Sequence, residues 1–234
     1  MITINGDLQM SDHAKCAGQE NKACRPTIYD ELVCHFPYAV FSVALSLIIL
    51  SFVTFFGIDK QPDLVHGLWL QLFHNFHFIH IIFATVGCLL TYMRFSTNIF
   101  KGIIVSIFSA TVFCILSDIA MPYVGARLLG VNMHLHICFI SELHNILPFL
   151  FVGILTGLAM MRHHSEAGKE MGLWSHFAHI LVSSLAASFY LVSHGFTNWA
   201  PSIGMVFMVL VGAIVIPCTL SDVVVPMFFA EKKK

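Results

Sequence analysis

Two histidine pairs, His77-x2-His80 and His176-x2-His179, have the spacing that puts both imidazoles on one face of a helix. Two Ser-Asp pairs, Ser117-Asp118 and Ser221-Asp222, are each followed by a proline four residues after the aspartate, Pro122 and Pro226. Two glutamates, Glu31 and Glu142, each precede a leucine and stand six residues before a proline, Pro37 and Pro148. Imidazole and carboxylate together suit a transition-metal cation such as Zn, Fe, Mn, Ni or Co, with the particular ion left open. Such ligands bind metal in their deprotonated forms, so proton exchange accompanies metal uptake. Ser117 and Ser221 are placed to orient the neighbouring ligands.

These groups sit in or beside long apolar runs, which makes them expensive. A charged carboxylate at the centre of a bilayer costs about 2.5–3.5 kcal/mol, and four unpaired ones would cost roughly 10 kcal/mol. Partners, protonation or a bound ion must offset that cost. The prolines add a second feature. Each lacks an N–H, so the carbonyl four residues earlier, at Asp118, Asp222 and His144, should lose its helical partner.

The elements that carry these residues are transmembrane helices. Six stretches, roughly 36–57, 69–92, 99–121, 131–161, 172–193 and 202–230, meet the requirement of about 20 mostly apolar residues. Composition agrees: 57% of the 234 residues are hydrophobic and 11% charged, against about 25% charged in soluble domains. Mean hydropathy is +0.81. The net charge of −1 gives no reason to expect a nucleic-acid partner. Residues 1–25 have no apolar core of a cleavable signal peptide, so the first transmembrane helix is expected to direct insertion. The fold class is therefore all-α and polytopic, with the lipid bilayer as its main partner.

The motifs recur in order. Residues 31–122 set against 142–226 align Glu31-Leu with Glu142-Leu and Gly67-Leu-Trp69 with Gly172-Leu-Trp174. They also align the two His-x2-His pairs, Thr97-Asn98 with Thr197-Asn198, and the two Ser-Asp-x3-Pro motifs. Shared ionisable residues inside apolar sequence argue for duplication. Three helices per half make the second half enter from the opposite side, a 3+3 inverted-topology repeat. The divisions are a cytoplasmic N-terminal tail over 1–26, repeats over 27–127 and 128–230, and a basic cytoplasmic tail over 231–234. By equivalence with Glu142, the first helix should start near Thr27 and enclose Glu31.

Ten of the 12 Lys and Arg fall in the two tails and the second and fourth loops, which puts both termini in the cytoplasm. Depth then sorts the polar residues into two sites. The inner one holds Glu31, His176, His179 and Asp222. The outer one holds Glu142, His77, His80 and Asp118, with His144 close by. His74 extends the row of His77 and His80, and His134 and His136 lie at the outer mouth. Cys88, Cys114, Cys138 and Cys218 read as small packing residues.

The function expected from this pattern is transport of a divalent transition-metal cation, with protons as a coupling partner. The alternatives are an intramembrane metal-dependent enzyme or oxidoreductase, a haem electron carrier using His77 with His144 or His176 with His35, and a structural subunit of a membrane complex. A homo-oligomer fits each of these. No Walker loop, GxGxxG, GxSxG or HExxH motif is present.

Overall fold

The computed structural model describes residues 28–57, 62–162 and 167–230. The N-terminal tail, Thr27, Lys60, His163, His164 and the terminal lysines lie outside the described residues. Every regular element described is helical: α1 (Ile28–Gly57), α2 (Pro62–Phe95), α3 (Ile99–Ile115), α4 (Met121–Leu128), α5 (Cys138–Ser141), α6 (Leu143–Arg162), α7 (Ala167–Ser193), α8 (Ile203–Thr219) and α9 (Val225–Phe229). Two π-helical turns, π1 (Leu116–Ala120) and π2 (Leu220–Val224), join α3 to α4 and α8 to α9. Among the described residues, six segments are long and apolar enough to cross a membrane: His35–Phe56, Val65–Phe95, Ile99–Leu128, Leu143–Met161, His176–Ser193 and Ala200–Phe229. Helices suit that solvent because each satisfies its backbone hydrogen bonds within its own segment.

One expected boundary moves. The apolar run 131–161 does not form a single helix. Backbone that is not helical leads into the short α5, Glu142 breaks the path with φ −120 and ψ 25, and α6 begins at Leu143. Hydropathy averages over such a break, because Val131, Leu135 and Ile137 are apolar whether or not they are helical.

Helices α2 and α7 form the inner pair. Their spans are the most enclosed, 56% and 72% buried. They run antiparallel, since His80 meets His179 while Phe73 meets Tyr190. Small residues let α7 pack closely, with Ser183, Ser184, Ala186, Ala187 and Ser188 all fully buried. The serine hydroxyls are absorbed locally: Ser184 donates to the Ile180 carbonyl and Ser188 to that of Ser184. Ser188 also meets Ser46 of α1 at 3.0 Å. The outer faces are apolar, as along Leu147, Phe151 and Leu155 of α6 and Phe41, Phe52 and Phe56 of α1.

Helix α6 meets α2 through Gly153 and Gly157, a Gly-x3-Gly pair. A Cβ on Gly153 would stand 2.9 Å from Thr85 Cβ and 3.2 Å from the Ile82 carbonyl. Gly153→Leu is therefore expected to destabilise the bundle by about 1–3 kcal/mol. Thermal unfolding in detergent checks this, with Gly204→Leu as the control because a Cβ there meets nothing within 4 Å.

Candidate functional site: a buried histidine–aspartate chain

The polar residues gather where α2 and α7 cross. Helix α2 has 34 residues and His80 is its nineteenth; α7 has 27 and His179 is its thirteenth. Both histidine pairs thus lie near the middle of their helices. The aspartates come from the π turns. Pro122 and Pro226 cannot donate a backbone N–H, and just before each the hydrogen bonding widens by one residue: Met121 N–H bonds Leu116 O, and Val225 N–H bonds Leu220 O. The expected loss of the proline hydrogen bond is thus accommodated by a π turn, a feature common at functional sites.

Asp118 is fully buried and fully engaged. Its Oδ2 accepts from His77 Nδ1 at 2.8 Å and His80 Nδ1 at 2.7 Å. Its Oδ1 accepts from Ser117 Oγ and Ser183 Oγ, each at 2.7 Å. Four donors fill the acceptor capacity of a carboxylate. This network assigns the ring protons of His77 and His80 to Nδ1.

Asp222 is built on the same plan but less completely. His179 Nδ1 lies 2.8 Å from its Oδ2 and His176 Nδ1 lies 3.9 Å away. Its Oδ1 is buried and finds no hydrogen-bond partner among the described residues, and neither does His77 Nε2. His35 of α1 packs edge-on against His176, with ring centroids 4.2 Å apart.

The two halves of the site touch. His80 Nε2 and His179 Nε2 are 2.8 Å apart. One chain therefore runs from His77 through Asp118, His80, His179 and Asp222 to His176. The expectation of two separate clusters, inner and outer, is corrected. Depth measured from the ends of the apolar runs misplaces them, since α2 starts at Pro62 rather than near residue 69. That start carries His77 and His80 to mid-helix.

Two further expected members are elsewhere. Glu142 sits in the break between α5 and α6, half-buried, and accepts from Asn145 Nδ2 at 2.6 Å. His144 is exposed. Neither joins Asp118, because the helix that was to carry them inward begins only at Leu143. The backbone of Glu31 lies in α1, and its side chain is outside the described residues.

Among the described residues, three groups have donor atoms within 4.8 Å of one another and could hold a cation: His80, His179 and Cys218; His35, His176 and Asp222; and His74, His136 and Cys138. Cys218 and Cys138 enter these groups although the sequence reads them as packing residues, while Ser183 joins the chain as a hydrogen-bond donor to Asp118. A signal for Cys218 was present, since Cys114 and Cys218 both stand four residues before the aspartate of the repeated motif. Of the histidines considered for haem, His35 and His176 lie in edge-on contact and His144 is exposed.

A cavity of about 570 Å³ opens at the end of the bundle formed by the start of α2 and the end of α7. His66, His74, His134, His136, His194 and Glu142 line it. Burial, reinforced by the Glu142 charge, pushes the Cys138 thiol up to about 12. Burial also holds the His194 imidazole down at about 4, against the bond that its Nδ1–H donates to the Tyr190 carbonyl. Below pH 6.5 the unfolded chain protonates His194 before the native protein does. Stability should therefore fall as pH drops from 6.5 towards 4, by about 1–2 kcal/mol after solvent screening. Unfolding curves across that window check the slope, which should flatten in His194→Gln.

Comparison with known proteins finds no matching family model, no matching curated protein and no matching solved structure.

Proposed function

We propose that this chain is an integral membrane carrier of a divalent transition-metal cation, coupled to protons, with the His80–His179 contact as its central site. One observation carries the reading. Each imidazole directs its Nδ1–H to an aspartate, so the two Nε2 lone pairs point at each other across 2.8 Å. Two lone pairs at that distance repel unless a cation lies between them. A proton satisfies the contact, and a metal ion satisfies it after a small spreading of the rings. The same position thus serves two cargoes that exclude each other, which is the condition for exchanging one against the other.

The surroundings support the same reading. The histidine-lined cavity includes His74, three residues before His77 at one end of the chain. His176 and His35 extend it towards the other. The bare Asp222 Oδ1 and His77 Nε2 are acceptor positions on either side of the centre.

We further infer a 3+3 inverted-topology repeat with both termini in the cytoplasm. In support, π1 and π2 both carry Leu-Ser-Asp, and each supplies its aspartate to the central histidine of the neighbouring inner helix. Rocking of one half against the other about a fixed central site is how such repeats give alternating access.

The test is uptake into proteoliposomes holding a metal-sensitive dye and a pH dye. Saturable uptake of one of Zn²⁺, Fe²⁺, Mn²⁺, Ni²⁺ or Co²⁺, with protons moving the opposite way, is the expected result. No uptake above protein-free liposomes for any of the five, with the pH gradient in either direction, would refute the proposal.

A further inference from the structure

Cys218 changes the chemistry of the central site. Its thiol is 2% exposed, and its sulfur lies with His80 Nε2 and His179 Nε2 in one group of atoms within 4.8 Å of one another. Cys114 is 1% exposed and packs against His80. Two nitrogens and a sulfur converge here from α2, α7 and α8, with the Cys114 thiol also beside His80.

We infer that the cargo of this site is a thiophilic cation of the Zn²⁺ class, bound by His80 Nε2, His179 Nε2 and Cys218 Sγ. The inference rests on the carrier reading above and names its substrate class. Oxygen ligands suit Mg²⁺, Ca²⁺ and Mn²⁺, whereas imidazole with thiolate suits Zn²⁺. The fit is close. Two imidazoles about 2.0–2.1 Å from a tetrahedral ion stand about 3.3 Å apart. The rings now at 2.8 Å need to part by only about 0.5 Å. Three protein ligands leave the fourth position open, as in sites whose occupant exchanges rather than in closed structural sites. Water is the available fourth ligand.

The charge balances. Binding breaks the Cys218 S–H bond, forms an S–Zn bond and releases that proton. The proton shared by the two Nε2 atoms is displaced as well. Two positive charges leave as two arrive, so the buried site keeps its net charge in either state and avoids the cost of an uncompensated charge inside the bilayer.

X-ray absorption of the full chain in detergent, loaded with one equivalent of Zn²⁺, tests this, alongside Zn²⁺ uptake in proteoliposomes. The expected spectrum has one sulfur at about 2.3 Å beside nitrogen or oxygen at about 2.0–2.1 Å. The sulfur should disappear in Cys218→Ser, with Zn²⁺ affinity falling by at least about 100-fold. It should persist in Cys138→Ser, where the thiol belongs to the cavity group. A wild-type shell of nitrogen and oxygen alone overturns the inference without needing any variant. So does a sulfur lost in Cys138→Ser but kept in Cys218→Ser. Either result with continued metal uptake leaves the carrier reading intact. A sulfur shell in a chain that takes up no metal overturns the inference too, by making the ion a resident one, and the carrier reading falls with it.

Discussion

Asp118→Ala is expected to be the most destabilising substitution in the buried chain, costing roughly 3–5 kcal/mol. The carboxylate receives His77 and His80 on one oxygen and Ser117 and Ser183 on the other. Truncation leaves four buried donors facing one another with no acceptor, and each unmade bond costs about 1–3 kcal/mol. The total will fall short of the sum, because helices loosened within a micelle find other partners. Asp222→Ala is expected to cost less. That carboxylate receives His179 at 2.8 Å with His176 at 3.9 Å, and its Oδ1 accepts nothing among the described residues. Thermal unfolding of the two variants in detergent decides the matter. Equal losses would mean that Asp222 is held by contacts as numerous as those of Asp118. Asp118→Asn should fall between Asp118→Ala and the wild type. It keeps an acceptor for one pair of donors but turns an N–H₂ towards the other.

Much of this site could be read from residue order, and the reasons for the failures are specific. The six spans follow from apolar length alone, which is what the bilayer selects. The association of His77 and His80 with Asp118, and of His179 with Asp222, was visible because the motifs recur as a set. Their junction was not visible. It depends on where α2 and α7 begin, and polar first turns such as Pro62–His66 hide a helix start from a hydropathy window. Glu142 misled for the converse reason: apolar neighbours made a helix break look like helix interior. The π turns are invisible to a 3.6-residue reading, since only the hydrogen-bond register distinguishes them. Read alone, Cys114 and Cys218 look like packing residues, because a buried cysteine is usually a small apolar residue. Only their place beside His80 and His179 gives them a second use.

The joined chain makes a quantitative demand that two separate clusters would not. If His80 and His179 share one ion, either His80→Ala or His179→Ala should empty the site. Elemental analysis of the purified protein should then find one tightly held metal ion per wild-type chain and none in either variant. Two separate sites would instead give two ions in the wild type and one remaining in each variant. Transport should follow the same logic. Each single substitution is expected to lower uptake by at least about 100-fold, and the double variant should be no worse than either single. Residues that act as a unit show this non-additivity, whereas independent groups give effects that multiply. The buried contact at 2.8 Å is the physical basis for expecting a unit. The remaining imidazole keeps one Nε2 lone pair beside Cys218, too few protein ligands to hold a divalent ion against its hydration. His77→Ala serves as the comparison, because His77 shares Asp118 with His80 but has no contact with His179. It should weaken binding through the lost hydrogen bond, by about 10–100-fold, while leaving the stoichiometry at one ion per chain.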